Sequence, residues 1–224
     1  MADGDRLDPE PLGSNEPLAL ERIVFFSDAV MAIAITLLAI DLRLPAAGGI
    51  DTDTFVRQLI DMIPRYFAFA ISFAVIGVYW VAHHRMFRFV VSWDRGLIMR
   101  NLLFLFFVVQ LPFASSMLGG YGNVPLATAV YAVLLSLMGF ASYALWMYGV
   151  RRRLVNDAVT PAFARYVALR ALAVAIVFAV SVPIAFVSPL LAELSWLAIS
   201  ALLLVIRRAG PERFSSPAAE SPTK

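Results

Sequence analysis

One run of the chain places ionisable and hydroxyl side chains inside an apolar stretch. Residues 21–45 read ERIVFFSDAVMAIAITLLAIDLRLP, with Arg22, Phe26, Ser27 and Asp28 near the start and Thr36 well inside. The run is long enough to cross a bilayer. An aspartate one turn into such a run is expensive, and its position marks a candidate ion pathway, proton relay or coupling site. At 100° per residue, Leu37 falls about 40°, Ile40 about 20° and Leu44 about 20° from Ile33, a branched apolar stripe bordered by Thr36. Asp28 falls about 140° from Ile33, on the opposite face. Either face is compatible with a pathway, because the helix is apolar nearly all round apart from these groups.

Other residues carry less. His83 and His84 are the only histidines, and as neighbours they point to different helix faces, so they do not make a zinc site. A titratable histidine near a channel mouth can confer pH sensitivity. There is no HExxH, no Gly-x-Ser-x-Gly, no phosphate-cradling glycine loop and no second mid-membrane aspartate to pair with Asp28. An enzyme is not expected, nor a cofactor, a bound metal or a nucleic-acid partner. Ser136 and Ser142 read as hydrogen bonders within their own helix, and Gly77, Gly119 and Gly139 as places for close helix contact.

The elements that must position these groups are membrane spans. Of the 224 residues, 61% are hydrophobic and 15% charged, against about 45–50% and about 25% in soluble domains; the mean hydropathy is +0.79. The expected fold class is an all-α integral membrane protein with six transmembrane helices, near residues 22–44, 64–84, 96–118, 125–149, 165–187 and 189–206. The sixth is short and interrupted by Glu193. A short amphipathic segment at residues 51–62 has Thr52 or Asp53 as its N-cap. Residues 1–20 form an acidic disordered tail, 21–208 the membrane domain, and 209–224 a second disordered tail.

Lysine occurs only at position 224, so the basic charge is arginine. Arg85, Arg88, Arg95 and Arg100 bracket one loop, Arg151, Arg152, Arg153 and Arg165 another, and Arg207, Arg208 and Arg213 follow the last span. The positive-inside rule places both termini and these loops in the cytoplasm, with the protein in the plasma membrane.

Arg22-x-x-x-Phe26-Ser27-Asp28, followed by Thr36-Leu37-Leu38 in an apolar helix, resembles the signature of the transmembrane protein 175 family of potassium channels. The resemblance continues through Tyr79-Trp80, residues 83–88 (HHRMFR), residues 101–105 (NLLFL) and Leu111-Pro112-Phe113. It covers roughly the first half of the chain. It implies a homotetramer in the lipid bilayer, with the first helix of each subunit lining a central pore. By the same resemblance Ile33, Leu37 and Ile40 form the constriction, with Thr36 and Leu44 beside it. Arg22, Phe26, Ser27, Asp28, Trp80, His83, His84 and Asn101 form a structural network, the aromatic, histidine and amide groups supplying hydrogen bonds to a buried Asp28. The permeant ions are K+ and other monovalent cations, in passive, leak-like flow. The alternative is a proton- or cation-coupled secondary transporter using Asp28, for which a chain with one polar cluster and no internal repeat is a poor fit.

Overall fold

The computed structural model describes residues 16–44, 49 and 51–208. Residues 1–15 of the expected N-terminal tail and the whole expected C-terminal tail, 209–224, lie outside the described residues. Helix α1 (Glu16–Leu37) tightens into a 3-10 turn (Leu38–Asp41). Then come α2 (Thr52–Asp61), α3 (Ile63–Phe87), α4 (Arg95–Tyr121), α5 (Pro125–Arg151), α6 (Pro161–Val187), α7 (Pro189–Ser195) and α8 (Ala198–Arg208). Six stretches are long and apolar enough to cross a membrane: Leu18–Ile40, α3, α4, α5, α6 and Pro189–Arg208. They occur in the expected order. Helix α1 starts at Glu16 rather than near residue 21, so residues 16–20 belong to the helix and not to a tail.

Local chemistry sets the helix starts. Proline stands in the first turn of α3, α5, α6 and α7, where its missing N–H falls among donors that have no helical partner anyway. The α2 cap is Asp51, not Thr52 or Asp53: its carboxylate accepts from the Thr54 amide at 3.0 Å. Three successive residues are able to cap, and only Asp51 has the extended backbone that the cap position requires. The sixth span is indeed irregular. It breaks at Trp196 and Leu197, where the buried Trp196 indole donates to Ser181 Oγ at 3.0 Å.

Between lipid-facing helices, association rests on close packing and interhelical hydrogen bonds. Gly139 of α5 has no side chain, and a Cβ there would lie 3.0 Å from Ala175 Cα of α6. That approach lets Ser136, one turn earlier, donate to the Ala175 carbonyl at 3.0 Å. The expectation of a bond within α5 is therefore wrong for Ser136. Gly119 of α4 meets the α3 backbone at Arg65 in the same way, whereas Gly77 has nothing within 4 Å. Helix α5 is the most enclosed span, with 61% of its apolar window buried, against 22% for α1 and 11% for the sixth.

On the arginine-rich side two loops pair. The Val91 amide donates to Leu154 O at 2.9 Å and the Asn156 amide to Phe89 O at 2.8 Å, around a Val90–Val155 bridge. Asp94 caps α4 by accepting from the Leu97 amide at 2.7 Å, and the Tyr148 hydroxyl of α5 donates to its other oxygen at 2.8 Å. Arg152 stands 3.7 Å away, and the Arg100 guanidinium lies 3.8 Å above the Tyr148 ring. Burial pushes the Asp94 carboxyl up, but the Leu97 amide, Tyr148 hydroxyl and Arg152 outweigh it and hold it below the ordinary carboxylate value. Stability from the charged form is then present above that ordinary value and is lost as pH falls through the lowered one. Asp94→Ala removes the cap and should cost about 1 kcal/mol in detergent unfolding. Asp94→Asn keeps the cap at neutral pH, and its deficit against wild type should shrink as pH drops below about 4.

Candidate ion pathway and its anchoring network

Helix α1 has two faces of different fate. Ser27, Met31, Ala34 and Leu38, spaced by four, three and four, are buried against the rest of the subunit. Ile33, Leu37, Ile40 and Leu44 are 58%, 40%, 47% and 43% exposed, so the described residues of the subunit leave the stripe uncovered. The 3-10 turn from Leu38 eclipses residues three apart and keeps Ile40 in line with Leu37. Thr36 sits beside the stripe, also exposed, and returns its hydroxyl proton to Ile33 O at 2.8 Å.

The buried face is pinned by a chain of hydrogen bonds that runs in one direction. Ser27 Oγ donates to Ile23 O at 2.8 Å, which leaves the hydroxyl oxygen to accept from Asn101 Nδ2 at 2.8 Å. Asn101 Oδ1 lies 2.9 Å from His83 Nε2. A carbonyl oxygen only accepts, so His83 carries its proton on Nε2 and donates. His83 is 3% exposed and stacks on Phe87 and Phe104, with ring centroids 4.4 Å and 5.6 Å away. Its Nδ1 is buried with no hydrogen-bond partner among the described residues. One relay thus ties α1 to α4 and α3.

Asp28 is handled separately. It is half-buried, and the Trp80 indole donates to its Oδ1 at 2.9 Å. His84, exposed, leans on Trp80 at 5.8 Å between rings. The structure brings Ser27, Asp28, Trp80, His83, His84 and Asn101 to one end of the bundle and divides their work, where the expectation had all the donors serving Asp28. Trp80 alone among them reaches Asp28; His83 and Asn101 serve Ser27; His84 supports Trp80.

Arg22 and Phe26 do not join this network. Both are exposed, and Arg22 makes no ion pair among the described residues. Their spacing explains it: Phe26 lies about 20° and Arg22 about 20° from Ile33 on the helical wheel, so both continue the uncovered stripe. The signal was present in the sequence. Asp94 was a missed residue of the opposite kind, a cap-forming aspartate directly before an apolar run. Among the described residues no group of three or more His, Cys, Asp or Glu side chains is placed to hold a metal ion.

The family profile described as "Endosomal/lysosomal potassium channel TMEM175" matches residues 22–112, which include most of α1, the relay and most of α4. A potassium channel of Streptomyces collinus is 37% identical over 172 residues, 75% of this chain and 82% of that protein. The chain belongs to the TMEM175 family. The human endosomal/lysosomal proton channel TMEM175 is 35% identical over 117 residues, 50% of this chain and 23% of that longer protein. The crystal structure of a lysosomal potassium-selective channel TMEM175 homolog from Chamaesiphon minutus superposes with TM-score 0.69 at 28% identity, covering 85% of this chain and 97% of that one. Family, fold and six spans together make this a multi-pass membrane protein.

The relay makes a quantitative expectation. Asn101→Leu leaves His83 Nε2–H without its acceptor and should destabilise the protein by about 1–3 kcal/mol. His83→Leu should cost a similar amount, and the double variant less than the sum, because the bond's two partners vanish together. Thermal unfolding of the two single variants and the double variant in one detergent checks this. Simple additivity would show that the relay couples nothing.

Proposed function

We propose that the chain is one subunit of a potassium-favouring cation channel in which four copies arrange their first helices around a central pore. One observation carries the reading: α1 is fastened on one face and left bare on the other, and the bare face is a stripe of branched apolar side chains. Ile33, Leu37 and Ile40 form the constriction, with Thr36 and Leu44 beside it. The names of its relatives, potassium channels of bacterial origin among them, support the choice of ion.

Isoleucine and leucine have no oxygen to replace an ion's water shell. Such a ring sets a width and a dewetting barrier, so it favours the ion that sheds water at least expense. K+ passes ahead of Na+ on that basis, and other large monovalent cations with it. The flow is passive and leak-like. Arginines in the two paired loops and after the sixth span support an orientation with that side and both termini in the cytoplasm, in a subunit of the plasma membrane. Ser27, Asp28, Trp80, His83, His84 and Asn101 hold the pore helix at the correct rotation, and Arg22 and Phe26 extend its stripe toward the cytoplasmic end.

Purified protein in planar bilayers tests this directly. Unitary current steps are expected, and saturable flux without steps would favour a coupled transporter using Asp28. Ile33→Asn should raise the unitary conductance and reduce the K+-over-Na+ preference by several fold. An unchanged reversal potential in mixed K+ and Na+ would take Ile33 out of the constriction.

A further inference from the structure

The helix end at Arg153 is built in an unusual way. The Leu154 amide donates to Gly149 O at 2.9 Å and the Arg153 amide to Val150 O at 3.1 Å, the paired bonds of a Schellman cap on α5. The residue at the turning point of such a cap adopts a left-handed conformation and is usually glycine. Here it is an arginine at φ 56°. Leu154, next along, is buried against the apolar cluster that contains Trp146 and Leu97, so the cap is locked.

The arginine so held is one of a group. The loop register 89–156, 90–155 and 91–154 fixes Arg153 across from Ser92 and close to the start of α4. Arg88, Arg95, Arg151 and Arg153 are all exposed, and none makes an ion pair among the described residues. Arg152 is occupied by Asp94, and Arg100 by the Tyr148 ring and Gly96 O. The remaining acid nearby is Asp157, exposed and without an ion pair among the described residues.

Topology sorting accounts for arginines being on this side, but it acts on the count of charges near a span. It requires neither a folded loop pair nor an arginine in a conformation that disfavours every L-residue. A strained backbone position that carries a basic side chain, with exposed Arg88, Arg95 and Arg151 in the same two loops and the adjoining helix ends, presents a cationic surface to the lipid headgroups. We propose that the paired loops form a binding site for an anionic phospholipid headgroup, with Arg151 and Arg153 as its principal phosphate contacts and Arg88 and Arg95 flanking. The site is independent of the ion pathway.

The test uses the full chain in detergent, titrated with phosphatidylglycerol or phosphatidylcholine of matched acyl chains and followed by native mass spectrometry and thermal unfolding. Each basic residue near an anionic headgroup contributes about fivefold, so wild type should prefer phosphatidylglycerol by at least about tenfold. Arg153→Gly should weaken phosphatidylglycerol binding about fivefold and leave phosphatidylcholine unchanged, while its lipid-free unfolding midpoint stays level or rises. Loss of binding alongside equal or greater stability is a combination that a merely structural arginine does not produce. Arg151→Gln should reduce binding similarly without touching the cap, and Arg57→Gln, on the opposite side of the bundle, should change nothing. Equal binding of the two lipids would overturn the proposal, as would full preference retained by both variants. So would displacement of phosphatidylglycerol by millimolar inorganic phosphate, which would mean a site for a free anion.

Discussion

The contact between Asn101 and Ser27 fixes how the first helix sits against the rest of the bundle. Three of the helices, α1, α3 and α4, meet through a single polar relay from His83 to the Ile23 carbonyl, enclosed by Phe87 and Phe104. Such groups have no water to fall back on, so each unmade bond there costs about 1–3 kcal/mol. Apolar contact is nearly indifferent to how a helix turns about its axis, since lipid solvates leucine as well as a neighbouring helix does. The relay is not indifferent. It selects one rotation of α1, and that rotation decides which side chains stay bare.

The rest of the packing concentrates stability away from the bare face. Helix α5 is gripped by α6 where Gly139 and Ser136 meet Ala175, and by α3 through the bond between Ser72 and Tyr131. The Trp146 indole donates to Ala164 O of α6 at 2.9 Å, closing the arginine-rich end. These contacts make α3 to α6 a scaffold, against which α1 leans by its Ser27–Leu38 face. A helix carried this way can leave a largely hydrocarbon face bare, because Ser27 and Asp28 are engaged on its other side. The separation explains why the most conspicuous residues, Ser27 and Asp28, point away from the stripe that we assign to conduction.

Much of this was legible beforehand. The six spans follow from apolar runs of bilayer length, and the FSD cluster with its companions Trp80, His83 and Asn101 identified the family before any coordinate. The irregular sixth span was foreshadowed by its length and Glu193. Other features were open to the same arithmetic but went unread: Arg22 and Phe26 lie on the Ile33 stripe by spacing alone, and Asp94 stands where a helix cap belongs. Residues 16–20 escaped because Glu16, Pro17 and Glu21 interrupt the apolar run around Leu18–Leu20.

The sequence by itself determined that the chain crosses a membrane six times, in what order, and which residues are able to hydrogen-bond. Tertiary structure alone decided which partner each takes. His83 and His84 are chemically identical, yet one is buried in the relay and the other is exposed beside Trp80. Ser136 reaches another helix only because Gly139 lets that helix come near. The physical reason is common to both. In a helix apolar all round, periodicity carries no information about rotation, and rotation is set by a few polar contacts between segments far apart in the chain.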